Sequence, residues 1–255
     1  MPTWDAGQYL KFAGPRTQPS IDLVARVTCA PVERVIDLGC GPGNSTVLLK
    51  QRWPEAEVIG LDSSPQMLAT ARRDYPDIEF IEADLADWQA DAAFDVVFTN
   101  AALQWISDHE KLLPRLVAAV KTGGMFAAQM PHNQDQSAHR LMRELAASGP
   151  WAAKLKGYRG LQPVGMPAQY YDLLRPLVAT LELWETEYIH IMETPAAIAD
   201  WLQGTGLRPI LERLEAAEQA AFLDQYIGLL TEAFPAQVDG RVLFPFRRLF
   251  ILAEL

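Results

Sequence analysis

The first half of the chain alternates short apolar runs with stretches of helical periodicity. Strand-prone apolar runs lie at 35–38, 57–62, 78–81, 94–100 and 125–130. Helix signals fill the gaps between them, as at Ser64 and Pro65, where a serine cap precedes a proline in the first turn. This succession of strand–helix units predicts an α/β fold with a doubly wound, mostly parallel sheet, because parallel strands are joined by crossover helices.

The second half of the chain has a weaker pattern. Alternation typical of strands returns at 181–191 and 242–252, which brings the predicted sheet to seven strands. Thr194 and Pro195 begin a predicted helix, and 210–230 is predicted to be one amphipathic helical stretch. The segments between the fifth and seventh strands therefore predict a helical insertion in the C-terminal half.

The first strand ends in a glycine-rich turn, within the sequence ERVIDLGCGPGNST at 33–46. Gly39, Gly41 and Gly43 lack a Cβ, so a ligand can lie against the backbone, and a strand–turn–helix corner of this kind typically binds a cofactor. Asp37 is a carboxylate in an apolar strand and is expected to meet an amine or N–H groups. Asn44 occupies the third glycine place of the dinucleotide fingerprint, which weakens the case for a pyrophosphate site. A turn without a ligand is the alternative interpretation.

Polar residues follow the second strand as well. Asp62 lies about 20 residues after Gly41, the spacing expected of a carboxylate that binds ribose hydroxyls. Ser63 follows it, and Met67 in the next helix is predicted either to touch an adenine ring or to pack in the core. This pattern is shared by NAD-binding and methyltransferase folds, so it indicates a nucleoside without choosing between them.

The glycine turn resembles the D-x-G-x-G-x-G loop of class I S-adenosylmethionine-dependent methyltransferases. The resemblance implies that the loop faces the methionine part of the cofactor, that Asp84 accepts the adenine amino group and that Leu85 supplies an adjoining N–H. It also places the transfer centre after the fourth strand, in the run 100–105, with Asn100 and Ala101 among the cofactor-binding residues. Because the carboxyl ends of parallel strands share one edge, these polar residues are expected to form one site.

The helix after the fourth strand is predicted to begin with a capping box formed by Ser107 and Glu110. No Asn/Asp-Pro-Pro-aromatic motif follows that strand, which counts against methylation of amino groups on nucleic acids. We predict one domain over 1–255. Residues 1–30 are predicted to form an N-terminal helical lid or, alternatively, an anchor to the core, and 31–130 the cofactor-binding core. Residues 131–255 are predicted to form the C-terminal strands with helical insertions that cover the substrate.

Composition narrows the function classes further. The 255 residues are 49% hydrophobic, which suits a globular protein with a sizeable core. A net charge of −10, from 22 basic and 32 acidic residues, argues against non-specific binding to nucleic acid or to an anionic membrane. Cys29 and Cys40 are the two cysteines and indicate neither a disulfide framework nor a zinc site. We predict a cytoplasmic protein without a metal; the pattern leaves its oligomeric state open, and a monomer is compatible with it.

Specific motifs lie along nearly the whole chain: an N-terminal arrangement of Trp4, Tyr9, Phe12, Arg16 and Pro19, the run 100–105, the run 130–133, the Tyr170–Tyr171 pair, the run 205–209 and the run 248–251. Together these motifs are similar to those of the trans-aconitate methyltransferase family. The resemblance implies esterification of one carboxylate of a tricarboxylic anion. Phe246 and Arg247 before Arg248 depart from the family pattern, which leaves the choice of acid open.

A carboxylate nucleophile is already ionised at neutral pH, which fits the lack of an obvious catalytic dyad. His132 is the best candidate base, and a structural histidine is an equal alternative. The remaining carboxylates of such a substrate need cationic or hydrogen-bonding partners, for which arginine is suited. The predicted substrate-binding residues are Arg16, Trp105, His132, Tyr158, Arg159, Tyr188, His190, Arg208 and Arg248.

Three rival interpretations remain at this point. The first is a methyltransferase for another small acid or a hydroxyl metabolite. The second is an NAD-dependent oxidoreductase, which Asn44 and the acid after the third strand disfavour. The third is a sensor that binds the cofactor without catalysis.

Overall fold

A computed structural model of the chain describes residues 13–156 and 164–255, with the side chains of Ala13, Pro15 and Arg16 excepted. These residues divide into two compact units. The sheet unit contains residues 13–131, 164–186 and 248–255. The helical unit contains residues 132–156 and 187–247. The single domain expected over 1–255, with its internal boundaries, stays a prediction.

Strands and helices alternate along the first half, as the apolar pattern predicts. The elements are α1 (Ala13–Val24), β1 (Arg34–Leu38), α2 (Asn44–Arg52), β2 (Glu57–Asp62), α3 (Pro65–Asp74), β3 (Glu79–Glu82), β4 (Phe94–Asn100), α4 (His109–Val117), β5 (Val120–Pro131), α5 (Ser137–Ser148), α6 (Pro167–Leu174), β6 (Thr180–Met192), α7 (Pro195–Gln203), α8 (Arg208–Leu211), α9 (Ala216–Ala233) and β7 (Val242–Glu254). Short 3₁₀ turns lie at Leu103–Trp105 and Arg175–Leu177.

The strands form one seven-stranded sheet in the order β3-β2-β1-β4-β5-β7-β6. The pairs from β3 through to β5 are parallel, and β7 runs antiparallel to β5. From β1 the chain adds β2 and β3 on one side and then returns to add β4 and β5 on the other side. The boundary between β1 and β4 is therefore the topological switch point, where ligands bind in open α/β sheets. The predicted doubly wound, mostly parallel sheet is therefore confirmed.

One face of the central strands is packed with aliphatic side chains. Ile36, Val97, Ala128 and Leu249 come from β1, β4, β5 and β7, and each is at most 1% exposed. They belong to a single apolar cluster that helix α4 completes through Leu112, Leu113 and Leu116 in the same cluster. Burial of this cluster, at roughly 25 cal/mol per Å² of apolar surface, is the main stabilising term for the sheet unit.

The helical unit has its own aromatic core. Trp151 packs edge-on against Phe222 with ring centroids 5.0 Å apart, and its indole N–H donates to the carbonyl of Leu145. Tyr226 is fully buried and donates its hydroxyl hydrogen to the carbonyl of Ala138 over 2.9 Å. The polar tip of each large aromatic is thus satisfied where it is buried, which lets these rings contribute their full apolar area.

Two sequence predictions about helix ends are wrong. Helix α4 begins after Asp108, which has a φ of 62° and makes no side-chain cap, so Ser107 and Glu110 form no capping box. The stretch 210–230 is two helices rather than one, because α8 ends at Leu211 and α9 begins at Ala216. By contrast, the predicted cap of α3 is confirmed: the Ser64 hydroxyl accepts a hydrogen bond from the Met67 N–H.

Within residues 13–156 and 164–255, none of the helices combines the length and apolar character needed to cross a bilayer.

Candidate active site

The turn after β1 is built on glycines with positive φ. Gly39, Gly41 and Gly43 have φ values of 75°, 55° and 91°, a region that L-residues with a Cβ adopt at a cost. A Cβ at Gly39 would lie 2.3 Å from the Cβ of Ala102, whereas a Cβ at Gly41 would meet no atom of the described residues within 4 Å. The backbone at Gly41 is therefore uncovered by the described part of the chain, and the backbone at Gly39 lies tightly against the segment after β4.

Asp37 is the acid at the end of β1 and is fully buried. Its Oδ2 accepts hydrogen bonds from the hydroxyls of Ser45 and Thr46 at 2.6 and 2.7 Å. Its Oδ1 has no hydrogen-bond partner among the described residues. Burial raises the pKa of Asp37 to about 6, with the two hydroxyl bonds opposing the shift. A buried carboxylate with one unused oxygen is costly unless a donor or a cation reaches it.

Asp62, at the end of β2, ties the glycine turn to the next helix. One of its oxygens accepts the N–H of Gly41 and the other accepts the N–H of Ser64, both at 2.8 Å. Burial raises the pKa of Asp62, while the backbone N–H groups oppose that change. Since each carboxylate oxygen accepts more than one hydrogen bond, Asp62 retains capacity for hydroxyl donors.

The other predicted cofactor residues lie around the same strand ends. Asp84 follows β3 and accepts the Ala86 N–H at 2.8 Å, and the adjoining Leu85 is 5% exposed. Met67 is 4% exposed on α3. Two more positions complete the set: Asn44 opens α2, and Ser63 is exposed immediately before the cap of α3.

The end of β4 contributes a second unusual backbone. Ala101 has a φ of 54°, and its N–H donates to the carbonyl of Gln129 at 2.9 Å. The side-chain Oδ1 of Asn100 is buried without a hydrogen-bond partner among the described residues. A non-glycine residue in the left-handed region often marks a functional segment, and here it directly follows an unsatisfied amide.

Strand register places four polar side chains on one face of the sheet. Asp37 pairs with Phe98 on β4, two residues before Asn100; Asn100 pairs with Gln129 on β5. Gln129 pairs with Phe250 on β7, two residues after Arg248. Because paired residues and residues two apart point to the same side, these four side chains share a face. We call Asp37, Asn100, Gln129 and Arg248 the polar row.

At the far end of the polar row, Arg248 contacts Gln129. The Arg248 side chain is 4% exposed, and its Nη1 donates to Oε1 of Gln129 over 3.3 Å. Gln129 is itself fully buried, and its Nε2 has no acceptor among the described residues. A guanidinium and an amide NH₂ at one end thus complement a carboxylate at the other.

A histidine secures the 3₁₀ turn that carries Trp105. Nε2 of His109 lies 2.9 Å from the carbonyl of Leu103, so it donates there, and Nδ1 lies 2.7 Å from the Tyr170 hydroxyl. That hydroxyl also accepts the N–H of Gly165 at 3.0 Å, and burial raises the pKa of Tyr170 to about 12. Trp105 is half-buried at this turn, so its position depends on His109 and Tyr170.

Four of the predicted substrate residues belong to the helical unit. His132 is 4% exposed, and its backbone exchanges hydrogen bonds with Arg247, from N–H to carbonyl at 2.9 Å and from guanidinium Nε to carbonyl at 2.8 Å. His190 packs on Trp201 with ring centroids 4.6 Å apart. Arg208 pairs with Glu212 at 2.9 Å. The fourth residue, Tyr188, is half-buried on β6.

The remaining predicted substrate residues lie outside what the structure describes. Tyr158 and Arg159 fall in 157–163, and the side chain of Arg16 is likewise not described. The sequence predictions for these three residues therefore stay predictions.

The structure adds site residues that sequence reasoning missed. Ser45 and Thr46, in the first turn of α2, hold Asp37 and were not among the predicted site residues. His109 was not predicted at all. Gln129 lies in the apolar run of β5, where a single amide among FAAQM was a signal that could have been noticed.

The residues around the glycine turn fit a cationic nucleoside cofactor. The unused Oδ1 of Asp37 suits an ammonium donor, the open space at Gly41 admits a ligand against the backbone, and Asp62 suits ribose hydroxyls. The third glycine position of the dinucleotide fingerprint is held by Asn44, which does not favour a pyrophosphate.

Comparisons with known proteins agree with this geometry. A family model described as a methyltransferase domain matches residues 35–124. Trans-aconitate 2-methyltransferase from Azoarcus sp. (strain BH72) is 51% identical over 253 residues, covering 99% of both chains. The enzyme of the same name from Methylobacterium nodulans is 48% identical over 255 residues, covering 100% of this chain and 99% of that one.

Solved structures show the same fold at low identity. The YcgJ protein from Bacillus subtilis has a TM-score of 0.61 at 14% identity, over 92% of this chain and 97% of that one. Phosphoethanolamine N-methyltransferase 2 from Haemonchus contortus, in complex with S-adenosyl-L-methionine, has a TM-score of 0.57 at 17% identity, over 93% of this chain and 52% of that one.

The strand order and the glycine corner thus define a class I S-adenosylmethionine-dependent methyltransferase. Within that class the relationship is closer still, because identity near one half extends over the full length of both chains. The chain belongs to the trans-aconitate 2-methyltransferase family.

Proposed function

We propose that the protein transfers the methyl group of S-adenosylmethionine to one carboxylate oxygen of trans-aconitate, giving a monomethyl ester and S-adenosylhomocysteine. The observation that carries the proposal is the 51% identity over 99% of both chains with a trans-aconitate 2-methyltransferase. The polar row supports it, because a buried guanidinium on β7, beside the carboxyl end of β5, suits a polycarboxylate.

The cofactor is proposed to bind along the carboxyl ends of β1 to β4. When bound, it supplies a methyl group activated by a sulfonium. Asp37 would face its ammonium group, Asp62 its ribose, and Asp84 with the Leu85 N–H its adenine. The remaining positions proposed to line it are Gly39, Gly41, Gly43, Asn44, Ser63, Met67, Asn100 and Ala101.

The proposed reaction needs no general base. The attacking carboxylate, with a pKa of about 4, is ionised at neutral pH and holds no proton to remove. The protein's task is therefore to align the carboxylate with the methyl group and exclude water. Trp105 and His132 are proposed to position the substrate rather than to transfer a proton.

Arginines are proposed to neutralise the other carboxylates of the substrate. Arg248 has the clearest support, since its buried guanidinium lies on the same face as Asp37 and Asn100. Arg16, Tyr158, Arg159, Tyr188, His190 and Arg208 are proposed as further contributors. We also propose that the protein acts on a small molecule in the cytoplasm, without nucleic acid, membrane or metal.

A labelled-methyl assay tests this function directly. Purified protein is incubated with methyl-labelled S-adenosylmethionine and, separately, with trans-aconitate, cis-aconitate, citrate and hydroxy acids, and the products are identified by mass spectrometry. A labelled monomethyl ester that forms most efficiently from trans-aconitate is the expected result. Preferred turnover of another acid would replace the substrate, and cofactor binding without turnover of any acid would favour a sensor.

Substitution of Asp62 tests the proposed cofactor site. Asp62→Ala removes the acceptor that holds the N–H groups of Gly41 and Ser64, so we expect affinity for S-adenosylhomocysteine to fall at least about tenfold. Asp77→Ala, at an exposed acid before β3, is the matched control and should bind normally. Equal affinities of the two variants in calorimetry would refute the role given to Asp62.

A further inference from the structure

Gln129 is a polar residue in the most buried part of the sheet. It lies at the centre of the polar row, between Asn100 on β4 and Arg248 on β7, with no exposed surface. Its sequence neighbours Ala128 and Met130 are equally buried and face the apolar cluster. An aliphatic residue at this position would avoid burying an amide, so the glutamine requires a reason beyond packing.

The contact with Arg248 fixes which way the amide points. A guanidinium has only donors, so the atom that receives Nη1 of Arg248 must be the carbonyl oxygen of the amide. Nε2 is then turned away from Arg248, and no described residue accepts its hydrogens. The amide is therefore oriented by the arginine, and it restrains the arginine in return.

A restrained guanidinium is what recognition of a carboxylate requires. Arginine binds a carboxylate best when its planar fork is held in one orientation, because less side-chain freedom is lost on binding. Gln129 supplies a neutral acceptor, which holds the fork without cancelling its charge. A glutamate in the same place would also accept the bond, but it would form an ion pair and compete with an anionic substrate.

From this geometry we infer that Gln129 is a positioning residue, which holds the Arg248 guanidinium in the orientation that binds one carboxylate of the substrate and adds no opposing charge of its own. The inference rests on the proposed function for the identity of the acid. It assigns to the buried amide a role in selecting polyanionic substrates. Gln129 acts through Arg248, so its effect should depend on that arginine being present.

Binding of trans-aconitate to the protein with S-adenosylhomocysteine bound, followed by calorimetry, tests the inference. We expect Gln129→Met to raise the dissociation constant about tenfold and Gln129→Glu to raise it roughly 100-fold, since the latter also neutralises the guanidinium. A purely structural glutamine predicts the reverse order, because glutamate preserves the hydrogen bond to Arg248. Affinity for S-adenosylhomocysteine alone should not change in either variant.

A double-mutant cycle gives the second readout. Gln129→Met in an Arg248→Met background should add no more than about a twofold loss, because the group it positions is gone. Additive effects would overturn the inference, as would normal affinity of both Gln129 variants. Thr99→Val is the matched control: its buried hydroxyl also lacks a partner among the described residues, but it lies on the opposite face and should change nothing.

Two further arms keep the result interpretable. If both Gln129 variants lose S-adenosylhomocysteine binding, Arg248→Lys is measured in their place, because it keeps the charge and removes the planar fork. A loss of about tenfold in affinity for trans-aconitate supports the inference, and unchanged affinity overturns it. Because binding is measured apart from turnover, the two proposals fail separately. Binding of trans-aconitate without methylation refutes the proposed function alone, whereas methylation with unchanged variant affinities refutes the role of Gln129 alone.

Discussion

The two faces of the central strands differ in what their side chains do. On one face Ile36, Val97, Ala128 and Leu249 form a continuous apolar cluster. On the other face lies the polar row, at the carboxyl ends of β1, β4 and β5 and in the middle of β7, with unsatisfied atoms on Asp37, Asn100 and Gln129 among the described residues. Because successive side chains of a strand point to opposite faces, neighbouring residues on these strands belong either to the apolar cluster or to the polar row.

This difference shows why the polar row is informative. A buried carboxylate, amide and guanidinium each cost free energy to desolvate, and hydrogen bonds from the described residues leave Oδ1 of Asp37, Oδ1 of Asn100 and Nε2 of Gln129 unsatisfied. The apolar face makes up for that cost and needs no ligand. A protein that retains unsatisfied groups on one face of its most buried strands uses them for something other than folding, and methyl transfer to an anion is the proposed use.

Adjacent residues on β7 allow the largest test of this comparison. Arg248 and Leu249 lie next to each other on opposite faces and are 4% and 0% exposed. Leu249→Ala should lower the free energy of unfolding by about 2–5 kcal/mol through the cavity it leaves, while kcat/KM of the folded protein stays near normal. Arg248→Met should lower kcat/KM for trans-aconitate, and the loss should correspond to about 2–5 kcal/mol of transition-state stabilisation.

Chemical denaturation and steady-state kinetics measure both variants of this pair. A methionine replaces the arginine with an apolar chain of similar length, so the stability of Arg248→Met should change far less than that of Leu249→Ala. If Leu249→Ala impaired kinetics as much as Arg248→Met did, the division of labour between the faces would be wrong.

Two glycines of the turn after β1 give an effect of intermediate size. Gly39→Ala introduces a Cβ that would lie 2.3 Å from Ala102 at a φ of 75°, whereas the Cβ of Gly41→Ala, at a φ of 55°, would meet no atom of the described residues within 4 Å. We expect Gly39→Ala to cost about 2–4 kcal/mol of stability, from backbone strain and overpacking, and Gly41→Ala about 1–2 kcal/mol from strain alone.

The loss of affinity for S-adenosylhomocysteine should rank the two glycine variants in the opposite order from the loss of stability. Since the Cβ of Gly41→Ala would project into the space proposed for the cofactor, it should weaken S-adenosylhomocysteine binding more than its small effect on melting temperature suggests. Thermal unfolding with and without S-adenosylhomocysteine measures both effects. Equal melting temperatures of the two variants without ligand would contradict the packing assigned to Gly39.

The glycine corner was predictable because its signals are local. The glycine turn and the cap at Ser64 each depend on residues a few positions apart, and both predictions were confirmed. Asp37 instead accepts from the hydroxyls of Ser45 and Thr46, so the amine or N–H partner expected for it stays a prediction. The seven-stranded sheet followed from apolar runs and crossover rules. The capping box predicted at Ser107 was wrong, because Asp108 adopts a left-handed backbone and takes the N-cap position in its place.

The rest of the site depends on contacts between distant residues. Gln129 and Arg248 are 119 positions apart, and a glutamine in an apolar run gains meaning only when strand register places it beside the arginine. His109 reaches Tyr170 across 61 positions. No periodicity or spacing rule links such pairs. The sequence therefore predicted the local structure of the glycine turn, whereas of the polar row it singled out only Asp37, Asn100 and Arg248 and gave no reason to group them with Gln129.

The ionisation of Asp37 gives the smallest expected effect and the sharpest test of the cofactor end of the polar row. Burial raises its pKa to about 6 in the free protein, and a bound ammonium group would favour the ionised form. Binding is therefore coupled to loss of a proton below that pKa: affinity is full above pH 6 and falls as pH decreases through it, by about tenfold between pH 7 and pH 5. Calorimetric titration with S-adenosylhomocysteine measures this dependence.

Asp37→Asn is the control, because it keeps an acceptor for Ser45 and Thr46 but cannot ionise. It should bind S-adenosylhomocysteine more weakly and without this dependence on pH. A flat pH profile for the unmodified protein would show that no cation approaches the buried oxygen.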